Sequence, residues 1–377
     1  MDRMSARLMP GKQRRRAAVV LAAVLCSLAV ESCSSIGPGT VTRDRYDYGA
    51  AIGDSWKQQT LLNIVKLRYA DFPVFLEVGQ VIAGYQLQTT VGAGISAQNY
   101  ISNSVGGPPA IGGSAAAAAT YIDRPTIMYA PLTGTDFIKK LMAPIPPSAV
   151  LFLLQSGYSA SLVLDIAIDS INGLANESRR VAMPRTADPQ FAQLGRLLYE
   201  LQLANALQVR IERAKDNSEA AIVTFPPAHQ TPDIAAKIAE VRRILRLSGG
   251  PSYSVHYGGY SGRGDDISIT TRSMLQIMLE LGVLAQVPAD DIAAGRAAPG
   301  ASSDKPAVVS GRPLVTILSG TAPAADAYVA VQYKGHWFWI ADGDFRSKSV
   351  FGAVMLLFSI SDVGVRSAPP VVTVPAN

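Results

Sequence analysis

The chain has 377 residues, of which 48% are hydrophobic and 17% charged. That length suits one large domain or two ordinary ones, and the composition is too apolar for a disordered protein. Two cysteines exclude a disulfide scaffold and any cysteine-rich zinc module. The formal charge of +5 invites a nucleic-acid or membrane-surface reading, but it is unevenly placed. Six of the 34 basic side chains (Arg3, Arg7, Lys12, Arg14, Arg15, Arg16) and two of the 29 acidic ones (Asp2, Glu31) lie in residues 1–32. The rest of the chain is nearly neutral, which removes the nucleic-acid reading.

Residues 1–32 read as a secretory signal. Basic residues from Lys12 to Arg16 precede Ala17–Val30, an uncharged apolar run of 14 residues. A spanning helix needs about 20 such residues, so the run fits the core of a signal peptide. No later uncharged apolar run approaches spanning length. Val30-Glu31-Ser32-Cys33 resembles the bacterial lipobox, with Glu31 where that pattern has a small or apolar residue. The resemblance implies cleavage before Cys33 and lipid attachment, a diacylglycerol and palmitate-like acyl chains, at its thiol. Several chains on one cysteine are what make such an anchor hold. Ser34, rather than Asp, is similar to the pattern of lipoproteins sorted to the outer membrane. Residues 33–50 begin small and polar, with Gly37, Pro38 and Gly39, and are expected to form a flexible tether.

A main domain is expected over 51–288. From Asp54 to Tyr69, Trp56, Leu61, Leu62, Ile64 and Val65 recur at helical spacing, and Asp71-Phe72-Pro73 ends the helix. Residues 74–97 turn to strand, closing in strict alternation. Tyr85, Leu87, Thr89, Val91, Ala93, Ile95 and Ala97 form one row, and Gln86, Gln88, Thr90, Gly92, Gly94, Ser96 and Gln98 the other. A Gly/Ala-rich loop is expected over 99–119, before a returning strand at 120–129. Helices follow over 135–142, 148–155, 159–174 and 188–207. Strands at 209–211 and 221–225 flank Lys215-Asp216-Asn217, a hairpin turn. Thr231-Pro232-Asp233 starts a helix that runs to Leu247. Strands at 252–257 and 267–270 precede a helix over 272–281.

Residues 289–312 read as a flexible linker or insertion. The segment 313–365 is expected to add a hairpin around Lys334-Gly335 and an apolar helix over 345–360, packed on the main domain. The prolines of 366–377 impose an extended tail. Hairpins alternating with amphipathic helices give an α+β fold with mainly antiparallel strands.

Each catalytic pattern fails on context. Gly259-Tyr260-Ser261-Gly262 begins a nucleophile elbow, but Arg263 replaces its last glycine, leaving a turn. Ser302-Ser303-Asp304-Lys305 has a serine–lysine spacing but sits in the expected linker. His229, His256 and His336 stand in separate segments, which argues against a metal site. Asp165 and Asp169 are placed on one helix face, and Asp342 and Asp344 at a turn, all as solvated groups. Arg263-Gly264-Asp265 is read as a loop. No cofactor site is expected. Trp337 and Trp339 alternate with His336, Phe338 and Ile340 and are the candidate interaction residues, although the face opposite the core is expected to lie under the helix at 345–360.

These readings support a lipid-anchored bacterial envelope protein of non-catalytic scaffold or interaction type, facing the periplasm. One alternative is an oligomeric outer-membrane component that inserts the 85–129 hairpin to form a pore or export channel, since its first limb exceeds the ~9–11 residues of a spanning strand. Another is an envelope hydrolase without an identifiable motif. The segments Asp54–Asp71, Gly262–Gln276, Trp337-Phe338-Trp339 and Phe345–Lys348 resemble a family of uncharacterised proteobacterial lipoproteins, over most of the mature chain. The resemblance implies export and lipidation and carries no activity or catalytic residues.

Overall fold

The structure, a computed structural model, describes residues 38–82, 85–98, 110–213, 219–227, 231–300 and 313–361. Cys33, His229, residues 99–109, the Lys215–Asn217 turn, the Ser302–Lys305 motif and the tail from 362 lie outside them. Helices and mixed sheets make an α+β fold. The chain divides into two compact units, Met1–Ile52 with Gln80–Met128, and Gly53–Gly79 with Tyr129–Asn377.

Helix α1 (Pro38–Arg68) begins well inside the stretch expected to be a tether, so that expectation is corrected from residue 38 onward. Once the turns before Arg68 have formed, each added residue gains a backbone hydrogen bond without a new nucleus. Pro38, at the first helical position, is the last proline before Pro73.

The first unit contains strands β2 (Tyr85–Gln98) and β3 (Ala110–Asp123). They form an unbroken antiparallel ladder from Tyr85↔Asp123 to Gln98↔Ala110. Leu87 stands opposite Tyr121, Val91 opposite Ala117, Thr90 opposite Ala118 and Gly94 opposite Ser114. Opposed positions share a face, so each row of β2 continues across β3. The expected loop over 99–119 is thus strand from Ala110 on. Alanine and glycine are weak strand formers, and here a long ladder overrides their preference. Strands β1 (Phe75–Ile82) and β4 (Thr126–Leu132) form a separate two-stranded sheet.

The second unit holds the core. Helices α2 (Thr135–Met142), α3 (Pro147–Gln155) and α4 (Ala160–Ala167) lead into β5 (Ile168–Ile171) and β6 (Leu174–Ala175). The single helix expected over 159–174 therefore stops at Ala167. Asn172 and Gly173 take positive φ values of 44° and 82°, a turn between two short strands that no helix admits. Next come α5 (Pro189–Leu203), β7 (Gln208–Arg213), β8 (Glu219–Thr224), α6 (Pro232–Leu245), β9 (Ser252–Tyr257), β10 (Asp266–Thr271) and α7 (Met274–Val283). Ser159, Thr231 and Ser273 cap α4, α6 and α7, each accepting a backbone N–H through its hydroxyl.

The main sheet has the order β6-β5-β10-β9-β8-β7. Its pairs are antiparallel except β9 and β10, which are parallel. Parallel neighbours ordinarily need a long crossover, yet residues 258–265 alone make this one. Gly264 has φ 78°, and a Cβ there would stand 3.1 Å from the Arg246 carbonyl. Ser248 donates its N–H and hydroxyl to the Gly264 carbonyl, at 2.7 and 2.8 Å. The Arg263–Asp265 tripeptide is therefore part of a tethered loop.

Residues 289–300, expected to be linker, contain helix α8 (Ala289–Ala293) and the buried Asp291 and Ala297. The chain closes with β11 (Leu318–Gly320), β12 (Ala327–Tyr333), β13 (His336–Ala341) and α9 (Phe345–Ser361). The order β11-β13-β12 adds an edge strand to the expected hairpin, whose Lys334-Gly335 turn has φ 47° and 83°. One continuous core links Leu61, Ile64 and Val65 of α1 with Phe191, Ile244, Ile267, Met278, Phe338 and Phe351.

Candidate functional site

The densest charged cluster centres on Arg272, which is 1% exposed. Its backbone N–H bonds the Ala167 carbonyl at 2.8 Å. Its guanidinium donates to the carbonyls of Asp165 (2.8 Å) and Ile166 (3.2 Å), at the end of α4, and to that of Glu177. Asn176 donates to the Ile168 carbonyl at 2.8 Å. A cation and an amide thus satisfy carbonyls that α4 leaves open where it turns into β5.

Around this cap, Glu280 (1% exposed) pairs with Arg180 at 3.3 Å and accepts the Arg179 N–H at 2.7 Å. Arg185 pairs with Asp169 at 2.8 Å, and Arg179 with Glu177. Asp165, 9% exposed, has its carboxyl pushed up to about 7. Burial is the cause, opposed by the charges of Arg346, Arg179 and Arg272. Asp165 lies in α4 and Asp169 in β5, so the shared, solvated helix face is corrected on both counts. Ion pairing and enclosure make the cluster a clamp between the 176–185 segment and α7.

A second polar group surrounds Asp291. Its carboxylate accepts from the Tyr69 hydroxyl at 2.5 Å and pairs with Arg296 at 2.6 Å; His336 lies 4.0 Å away. The Tyr69 bond and then Arg296 hold the Asp291 carboxyl below its usual range, while burial and the Asp291 bond push the Tyr69 hydroxyl up. Tyr69 also meets Tyr333 and Phe338 edge-on, at 5.4 and 6.2 Å between ring centres. Tyr333 donates to Asp71.

The serine, histidine and aspartate of the glycine-rich region do converge. His256 Nε2 is 3.1 Å from Ser268 Oγ and 3.5 Å from Asp266 Oδ2, and Ser261 donates to Asp266 at 2.9 Å. A nucleophilic triad needs serine on one ring nitrogen and carboxylate on the other. Here both face Nε2, and Ser268 is 1% exposed within β10. The arrangement ties the β9–β10 pair together and does not activate a hydroxyl.

On β13, Phe338 and Ile340 are fully buried, while Trp337 and Trp339 alternate with them and are half-buried. The Trp339 ring lies over β11, where a Cβ at Gly320 would meet it at 3.2 Å. Helix α9 packs against α3, α4 and α7. Asp344 caps its first turn through Ser347 (3.0 and 2.6 Å), and Asp342 pairs with Lys348 at 2.8 Å. Among the described residues no group of three His, Cys, Asp or Glu is placed to hold a metal ion, and no helix is long and apolar enough to cross a membrane.

Sequence reasoning missed Arg272, Glu280 and Asn176. Glu280 did leave a signal, an acid on the α7 face shared by Ile277 and Leu281, where spacing predicts a buried apolar residue. Comparison of the chain with family models, curated proteins and solved structures finds no match.

Proposed function

We propose that this chain is a lipid-anchored protein of the bacterial cell envelope, attached through Cys33, whose task is to contact other macromolecules and not to catalyse a reaction. The observation that carries the interaction reading is the β2–β3 ladder. Among the described residues it pairs with no third strand. A lone two-stranded hairpin is marginal in water, so a ladder of this length calls for a partner on a face or an edge. The resemblance to proteobacterial lipoproteins and the lipobox at Cys33 support the address, the outer membrane facing the periplasm. Trp337 and Trp339, half-buried beside an edge strand, are a second candidate contact.

The length of the ladder favours a second reading, in which several copies insert this hairpin to form a shared barrel. Each strand spans 14 residues, beyond the ~9–11 a membrane strand needs, with a strict period of two in β2. Mass measurement of the detergent-extracted protein separates the readings. A ring-sized oligomer favours insertion. A smaller complex with another envelope protein favours a scaffold, and a monomer cut by protease between residues 99 and 109 excludes insertion.

A further inference from the structure

The second unit contains a cavity of about 430 Å³ between the end of α1, the 180–183 segment, α7 and residues 295–298. Three arginines line it, and their charges are not equally matched. Arg180 pairs with Glu280 at 3.3 Å and Arg296 with Asp291 at 2.6 Å. Arg68 is 5% exposed, yet among the described residues no carboxylate pairs with it. Among the described residues its Nη1 reaches only the Pro299 carbonyl, at 3.4 Å, and its buried Nε meets no partner. A buried guanidinium with no counter-charge is strongly unfavourable, so a cavity beside it is a place for an anion. The remaining wall is apolar: Leu279 and Val283 of α7 form one side, and Met183, 68% exposed, stands at the rim. The volume lies within the ~300–1,000 Å³ of small-molecule sites.

We infer that this cavity binds an amphipathic anion, with its carboxylate or phosphate head on Arg68 and its alkyl chain along α7. Arg180 and Arg296 are matched by their own carboxylates, which leaves Arg68 as the cation available to the head. Burial also holds the Arg68 guanidinium below its ordinary value, and an anion beside it reverses that penalty. The cavity belongs wholly to the second unit and owes nothing to the hairpin, so its failure would leave the envelope reading untouched, and the reverse.

The test is calorimetry and thermal melting of the full chain with decanoate, decyl phosphate, decanol and inorganic phosphate. Decanoate or decyl phosphate is expected to bind and raise the melting temperature, the tighter of the two identifying the head group. Decanol and inorganic phosphate should bind at least tenfold more weakly. Arg68→Met, which keeps the apolar stem, should lose at least tenfold in affinity while melting cooperatively. Should that variant not fold, Ala298→Trp leaves Arg68 in place, fills the cavity and is expected to abolish binding. Binding of decanol as tight as that of decanoate, retained affinity in either variant, or no binding of either anion overturns the assignment.

Discussion

Asp165 shows how one buried carboxyl links packing to pH. Its value of 3.8 in the unfolded chain rises to about 7 on folding, because burial penalises the charged form more than the nearby arginines stabilise it. A raised carboxyl contributes most stability below pH 3.8, loses it between 3.8 and about 7, and contributes nothing further above. The span corresponds to on the order of 4 kcal/mol. Asp165→Asn should therefore exceed the parent chain in stability at pH 8, with the difference shrinking toward pH 4, as measured by denaturant unfolding. A pH-independent difference would contradict the burial argument. Asp291 has the opposite sign, since a depressed carboxyl stabilises above its ordinary value and loses that contribution as pH falls through its folded value. Tyr69→Phe removes the first of its supports and should cost about 1–3 kcal/mol at neutral pH. That cost should shrink as the pH falls and Asp291 protonates, since the bond to the carboxylate is what is lost, and a melting series from pH 7 to 3 would reveal it.

At the scale of elements, α1 and α7 meet where a side chain is not tolerated. A Cβ on Gly282 would stand 3.1 Å from the Ile64 carbonyl and 3.6 Å from the Arg68 N. Backbone cannot swing aside as a flexible side chain can, so Gly282→Ala should cost about 1–3 kcal/mol by chemical denaturation. The same substitution at Gly343, which has no neighbour within 4 Å, should be nearly neutral. Helices α2, α5, α6 and α9 and the β12–β13 hairpin were legible because their caps, prolines and apolar periods agree. The helix over 159–174 misled because Ile168 and Ile171 continue an apolar period that the Asn172-Gly173 turn cuts short. The β3 strand was legible only from Thr120, because alanine and glycine carry no strand signal until β2 stands opposite them. At the candidate sites, Arg272 and Arg68 were illegible as residues of consequence. A lone arginine reads as solvated surface, and only the fold shows Arg272 against the end of α4 and Arg68 beside a cavity.

At the scale of the whole molecule, the proposed leader and the hairpin carry the functional reading, and the second unit carries the core. Cys33→Ser should release the protein from the membrane fraction of cells, read by immunoblot of soluble and membrane fractions. A variant that still sediments with membranes would contradict lipid attachment as the principal anchor. The proposal that β2 and β3 form a contact element is open to one direct measurement, photo-crosslinking in living cells from the full chain. It uses a benzophenone amino acid placed at Thr90 and, separately, at Val91, neighbouring positions on the two faces of the ladder. A discrete adduct from at least one position, with a second copy or another envelope protein, is the expected result. No adduct from either position, with the extracted protein monomeric, would contradict it.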